Sequence, residues 1–413
     1  MDSLWKKDLL LQHDTIVFKY RDPRKPGLNS TAIYAQSDDL KGPEWLNKSE
    51  RRTTCEWDAW FTEIADRSAV SKGNSIKIIL CPRDDFERDH SAILKYLPFS
   101  SESFQTIAEG LELHHSLAVL VERGVPTISR VPRAHSVVYT LRTQHNMEGD
   151  MALTITYFKG ATPPGHSKTH ALLLGCSERD TDAICGKLGA ARATAFSPFT
   201  LIKAFLELER GRRFRVVDKT VSEALRAAEQ LPGGGKGQAG YGSYPPKSLV
   251  EAYTDAFMLR TALEAWRAQL AKLARYAAED FTAAAGSSSS IHADDVDPAE
   301  YLEQLMCEYD IKIAHCERAS LTFQVQTTEL TRRDGREMRA ISLLTMVFLP
   351  ATFVATVMAV PTFDFGAITS IPQWSIYLVL FLPLTAVVLL VYFFWHRCLE
   401  TSGRGPSWAD LAV

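Results

Sequence analysis

Four hydroxyl residues near the C-terminus, Ser342, Thr345, Thr352 and Thr356, follow one another at spacings of three, seven and four. On an α-helix those spacings place them along one stripe, which takes in Leu349 and is extended toward the N-terminus by Met338 and Ile341. Most of the stripe lies inside an uncharged apolar run, Ala340 to Phe363. Hydroxyls in such a run turn toward other helices or water instead of lipid. Two roles are open to them. Each hydroxyl can bond back to a carbonyl of its own helix while the stripe packs a helix interface. Alternatively, the stripe lines a hydrated path along which a cation meets hydroxyls, carbonyls and apolar side chains, but no carboxylate. With no charge in the run, a proton relay or a buried ion-pair mechanism is not expected. A hydrated ion is favoured, and magnesium is the natural candidate because it sheds its waters reluctantly.

The elements that must position this stripe are two apolar runs. Ala340 to Phe363 and Ile371 to Trp395 are separated only by Asp364 to Ser370. A bilayer core of roughly 30 Å takes about 20 helical residues, so each run is long enough to cross it, and the pair reads as a transmembrane hairpin. Arg332, Arg333, Arg336 and Arg339 precede the first run, His396, Arg397 and Arg404 follow the second, and the connection carries only Asp364. By the positive-inside bias both termini face the cytosol and the connection faces outward. The sequence does not say which membrane this is. A hairpin is too small to enclose a pore, so a conducting form needs several copies around an axis. The segment MDSLWKKDLLLQHD has neither a secretory core nor transit character, so insertion depends on the hairpin itself.

The remainder reads as cytosolic globular material. The chain has 413 residues, a formal net charge of −3 and 7 cysteines (Cys55, Cys81, Cys176, Cys185, Cys307, Cys316, Cys398) without zinc-site spacing. That balance gives no basic field for nucleic acid, and the scattered thiols suit a reducing compartment. Residues 1–70, rich in charge and turn formers, are expected to be poorly ordered or irregular, and residues 71–197 to form an α/β domain. Strands are predicted over Ser75–Cys81, Ser136–Leu141, Leu153–Phe158 and Ala171–Leu174, and helices over Ser103–Leu113 and Asp180–Ala193.

Long stalk helices follow over residues 198–339. The first is predicted over Phe199–Leu231. Gly/Pro-rich residues 232–246 and Gly/Ser-rich residues 286–290 interrupt the stalk. Between the breaks, Ala252, Ala256, Leu259, Leu263, Trp266, Leu270, Leu273 and Ala277 form a coiled-coil-like seam. After Pro298 the device repeats with Leu302, Leu305, Tyr309, Ile313, Cys316, Phe323 and Leu330. Nothing breaks this last helix convincingly before the first span, so Pro298 to Pro361 is expected to be one rod of roughly 95 Å. Residues 396–413 form a cytosolic tail.

Other features carry less. GGGKG within residues 232–246 has Gly after Lys236 where a phosphate loop needs Ser or Thr, and no strand precedes it. His166 and His170 are spaced as metal ligands on a helix, but stand beside Pro163, Pro164 and Gly165 in an expected solvated loop. His114 and His115 are expected to point in different directions. The sequon at Asn47 lies on the cytosolic side and is expected to be unused. No nucleophile elbow, paired-carboxylate motif or nucleotide fingerprint occurs, so neither an enzyme nor a bound cofactor is expected.

The stretch from Met338 to Pro361, MRAISLLTMVFLPATFVATVMAVP, resembles the first membrane helix of the CorA-type magnesium transporters. The likeness is closest to the divergent CorA-like proteins of fungi, in which TMxFLPATFxAT recurs. ERGRRFRVV, after Pro198, is a less specific likeness to the same branch. The close resemblance covers this membrane stretch, and the order of domains covers the rest. It implies a homopentamer that transports magnesium or another divalent cation, its first spans lining the pore and its second spans forming an outer ring. Pore-facing roles then fall on Met338, Ile341, Thr345, Leu349, Thr352 and Thr356. The family's Gly-Met-Asn tripeptide at the outer mouth corresponds to Ala359, Val360 and Pro361 here, and proline offers an ion no side-chain donor or acceptor. Asp364 is then either a carboxylate ring contributed by every copy or a solvated turn residue. The departure leaves two outcomes: a divalent cation channel, or a non-conducting membrane scaffold or sensor that keeps the architecture.

Overall fold

The computed structural model describes residues 18–21, 28–42, 45–70, 73–82, 94, 96–144, 150–158, 166–229, 247–280 and 297–359, with scattered helical positions between 375 and 394. The chain divides into two compact units, Met1–Thr322 and Phe323–Val413.

The first unit is built on a seven-stranded sheet. Its strands are β2 (Ser30–Gln36), β3 (Asn47–Arg51), β4 (Ser75–Pro82), β6 (Thr127–Pro132), β7 (Ser136–Arg142), β8 (Ala152–Phe158) and β9 (Lys168–Cys176), in the order β3-β2-β4-β9-β8-β7-β6. β4 and β9 pair in parallel, and the other neighbours pair antiparallel. A separate parallel pair joins β1 (Lys19–Tyr20) to β5 (Tyr96–Leu97).

Both faces of the sheet are covered, and β4 shows why its sequence is nearly all apolar. Ile76, Ile78 and Leu80 point to one face and Ile79 and Cys81 to the other, as the two-residue period of a strand requires. On the second face lie α1 (Thr54–Val70), α2 (Ser101–Gly110) and α3 (Ser116–Arg123), which contribute Trp57, Trp60, Phe104, Ile107, Leu117 and Val121. On the first lie α4 (Glu178–Ala191), α5 (Pro198–Glu229), α6 (Lys247–Asp280) and the first part of α7 (Pro298–Met358). The result is a helix–sheet–helix sandwich, and α4 opens on a capping box in which Ser177 and Asp180 bond each other's backbone.

Of the expected irregular region 1–70, residues 1–17, 22–27 and 43–44 lie outside the described residues, while Ser30–Gln36 and Asn47–Arg51 are sheet strands and Thr54–Val70 is α1. β2, STAIYAQ, is buried along its whole length, whereas β3, NKSER, is polar because it forms a sheet edge. Such an edge strand carries no apolar alternation from which to read it. In α1, Trp57, Trp60 and Ile64 repeat at helical spacing and are buried.

The long helices carry their predicted seams. On α6, Ala256, Leu259, Leu263, Trp266, Leu270, Leu273 and Ala277 are buried and Ala252 is half-buried. On α7, Leu302, Leu305, Tyr309 and Cys316 are buried and Ile313 packs beside them, whereas Phe323 is only half-buried and the side chain of Leu330 is outside the described ones. The two expected breaks, 232–246 and 286–290, lie outside the described residues.

α7 ends at Met358, so residues 340–358 of the first expected span, 340–363, are helical, Ala359 is a turn, and the rest of the span lies outside the described residues. Most of residues 364–413 also lie outside them. Among the described residues, no helix is long and apolar enough to cross a membrane.

Candidate functional site

In the second unit the hydroxyl stripe runs along α7 with every hydroxyl turned onto its own helix. Ser342 Oγ donates to the carbonyl of Met338 at 2.9 Å. Thr345 Oγ1 lies 3.1 Å from the carbonyl of Ile341 and 2.9 Å from that of Ser342. Thr352 Oγ1 is 3.0 Å from the carbonyls of both Phe348 and Leu349, and Thr356 Oγ1 donates to the carbonyl of Thr352 at 2.7 Å. A hydroxyl has one proton and two lone pairs. With the proton committed to the helix, each exposed oxygen presents only acceptor capacity outward.

The rest of the stripe is apolar and bare. Met338, Ile341 and Leu349 are 67%, 58% and 70% exposed, and Leu344, Phe348 and Phe353 are exposed around them. This band on one chain exceeds scattered surface leucines and marks an interaction surface. Pro350 of the same helix brings no N–H, so the helix bond to the carbonyl of Met346 is not made at that turn. At the far end, Ala359 N–H bonds to the carbonyls of Ala355 at 3.0 Å and Thr356 at 3.2 Å. Val360, Pro361 and Asp364, the other expected outer-mouth residues, lie outside the described residues.

Within the first unit, the early turns of α7 are held by polar contacts to both neighbouring helices. Arg267 of α6 bonds Asp310 at 2.8 and 3.0 Å, Arg210 of α5 meets Glu308 at 2.6 Å, and Lys312 reaches Asp218 of α5 at 2.6 Å. Under them, Arg213 and Glu209 of α5 form a buried ion pair, with the guanidinium 5.6 Å from the Trp266 ring. Burial pushes the Glu209 carboxyl up from its ordinary range, and the charge of Arg213 works against that. These contacts set the register of α7 against α5 and α6. The sequence suggested the apolar seam but not the ion pairs of Arg210, Asp218 and Arg267 with α7, whose partners come from separate helices.

The histidines differ from expectation. His170 is a buried residue of β9, not a loop residue, because the strand begins at Lys168, before the apolar run ALLL. Its Nδ1 is 3.3 Å from the carbonyl of Leu111, so that nitrogen carries the proton. Burial, helped by the charges of Lys77 and Lys168, holds its pKa down to about 3. His114 and His115 stack with ring centroids 4.0 Å apart, because they precede α3 and do not diverge around a helix. Among the described residues, no group of three or more His, Cys, Asp or Glu side chains could hold a metal ion.

No family model matches the chain, and no curated protein matches it. Among solved structures, it is similar to the complete CorA magnesium transporter from Methanocaldococcus jannaschii, with a TM-score of 0.45 and 11% identity over 89% of this chain and 97% of that one. It is also similar to the ZntB cytoplasmic domain from Vibrio parahaemolyticus, with a TM-score of 0.39 and 11% identity over 75% of this chain and 99% of that domain.

Proposed function

We propose that the chain is a CorA-like divalent cation transporter of the membrane, in which the first span of each copy in a homopentamer lines the pore. One observation carries this reading: Ser342, Thr345, Thr352 and Thr356 direct their protons into the helix and leave a line of exposed acceptor oxygens. A hydrated divalent cation presents water hydrogens on its outside, which such a line accepts without the ion losing its shell. The uncharged runs 340–363 and 371–395 support placing that line in a bilayer, with both termini cytosolic. The resemblance of Met338 to Pro361 to the first CorA-type membrane helix supports the choice of ion and of assembly.

Met338, Ile341, Thr345, Leu349, Thr352 and Thr356 are the pore-facing set in this reading, and Asp364 is a cation attractor at the outer mouth. A second reading has its own support. Ala359, Val360 and Pro361 stand where the family carries Gly-Met-Asn, and without the asparagine the architecture is also that of a non-conducting scaffold or sensor.

Magnesium influx into proteoliposomes containing the full chain separates the two. Flux that Thr352→Leu abolishes supports the channel. A pentamer without flux supports the scaffold, and a monomer without flux overturns both.

A further inference from the structure

A second feature lies in the first unit and is independent of the transport reading. A cavity of about 570 Å³ opens at the carboxyl ends of β4 and β9, with Leu80 and Cys176 in its lining. These are the parallel neighbours of the sheet, and the elements that follow them pack on opposite faces. After β9 comes α4, whose Ile184 and Leu188 join one core. The next elements after β4, β5 and α2, place Leu97, Phe104 and Ile107 in the other. In an open α/β sheet the place where connections diverge in this way leaves a crevice, and ligands bind there.

The lining has two chemically distinct ends. Lys48, Glu50 and Arg52 alternate along β3 and just past it, so they share a face directed at the cavity. Lys48 is paired with Asp182 of α4 at 3.5 Å. Asn29 Nδ2 donates to Glu50 at 2.6 Å, and the buried Oδ1 of the same Asn29 has no partner among the described residues. With Lys48 engaged by Asp182, the Glu50 carboxylate and Asn29 Oδ1 offer acceptors for an N–H donor of a ligand. Arg52, two residues beyond Glu50, supplies a guanidinium for a carboxylate about 7 Å away along the strand. Leu80 and Cys176, on β4 and β9, add an apolar part to the lining.

We propose that this cavity binds a small zwitterion of the amino-acid class: the ammonium group on Glu50 and Asn29 Oδ1, the carboxylate on Arg52, and an aliphatic side chain over Leu80. The cavity's volume is that of an ordinary small-molecule site, and its mostly polar lining, with charged side chains of both signs, suits a ligand that carries both charges.

The test is calorimetric titration of the purified full chain in detergent with L-leucine, 3-methylbutylamine and 4-methylpentanoate, the last two each lacking one charged group of leucine. L-Leucine is expected to bind saturably, and each truncated analogue to bind at least about tenfold more weakly. Glu50→Gln and Arg52→Gln, both at exposed positions, are expected to weaken leucine by a similar factor. Glu102→Gln on the opposite face is expected to leave it unchanged, and circular dichroism checks that all variants fold. Absence of saturable leucine binding overturns the proposal. So does leucine binding that neither substitution affects, or amine binding as tight as that of leucine, which would make this a simple cation site.

Discussion

Arg142 and Asp150 form a buried ion pair at the β7–β8 connection, Nη2 to Oδ2 at 2.9 Å, with the side chains only 3% and 1% exposed. Each has further partners beyond the pair. Arg142 also donates to the carbonyl of Leu120 at 2.8 Å and to that of Val121, in the last turns of α3. Thr143 Oγ1 donates to Asp150 at 3.0 Å. Asp150→Ala leaves a guanidinium buried without its counter-charge, and should cost about 3–5 kcal/mol of stability. Arg142→Met with Asp150→Leu removes both charges together and should cost clearly less. Denaturant titration of the full chain and both variants reads this directly, and equal losses would mean that the pair is not uniquely coupled.

His170 makes the first unit sensitive to acid. Its folded pKa of about 3 lies below the ordinary value of 6.5, chiefly through burial, so the unfolded chain takes up the proton first. Its contribution to stability is complete above pH 6.5 and is lost progressively as pH falls toward 3. At pH 5 the loss is about 2 kcal/mol for this one group. His114, held to about 4 by burial and then by His115 and Arg133, acts in the same direction. Melting temperature measured from pH 7 to pH 5 should fall less steeply in His170→Gln than in the parent, and less steeply again when His114→Gln is added.

How much of this was legible depends on whether the partners are local. The α6 seam from Ala256 to Ala277 was visible because a helix face repeats every three or four residues. β3 was not, since Asn47–Arg51 is polar and becomes a strand only by pairing with β2. Pro163, Pro164 and Gly165 close by in sequence point His170 to a loop, while the ladder that makes it a strand residue is with Thr156 and Lys77. The cavity joins Asn29, Glu50, Leu80 and Cys176, which no spacing rule connects. The hydroxyl stripe was readable as a face, but the direction of each proton needed the carbonyl positions.

Two glycines of the first unit should respond in opposite directions. Gly175 has φ +87°, and a Cβ there would stand 2.4 Å from the carbonyl oxygen of Asp150. Gly175→Ala combines a left-handed backbone with a backbone clash and should cost at least about 1–3 kcal/mol. At Gly186, inside α4, an added Cβ meets nothing within 4 Å. Gly186→Ala should gain about 0.5–1 kcal/mol, because alanine loses less backbone entropy on entering a helix. Thermal denaturation of the two variants beside the parent checks both signs.

Thr352 offers the sharpest distinction between a conducting stripe and a packing stripe. Its Oγ1 contacts the carbonyls of Phe348 and Leu349 and faces outward with its lone pairs. Thr352→Val keeps the branched shape and removes the hydroxyl, whereas Thr352→Ser keeps the hydroxyl and removes a methyl group. If the oxygens accept from a hydrated ion, valine should lower magnesium flux by about tenfold or more, the loss of a hydrogen bond to a charged species, and serine should retain it. If the face only packs against a neighbouring helix, the order reverses. Valine then leaves the assembly intact, and serine, which opens a small void, loosens it. Flux and oligomer mass measured on the same two variants therefore assign the stripe, because each role predicts a different substitution to be the damaging one.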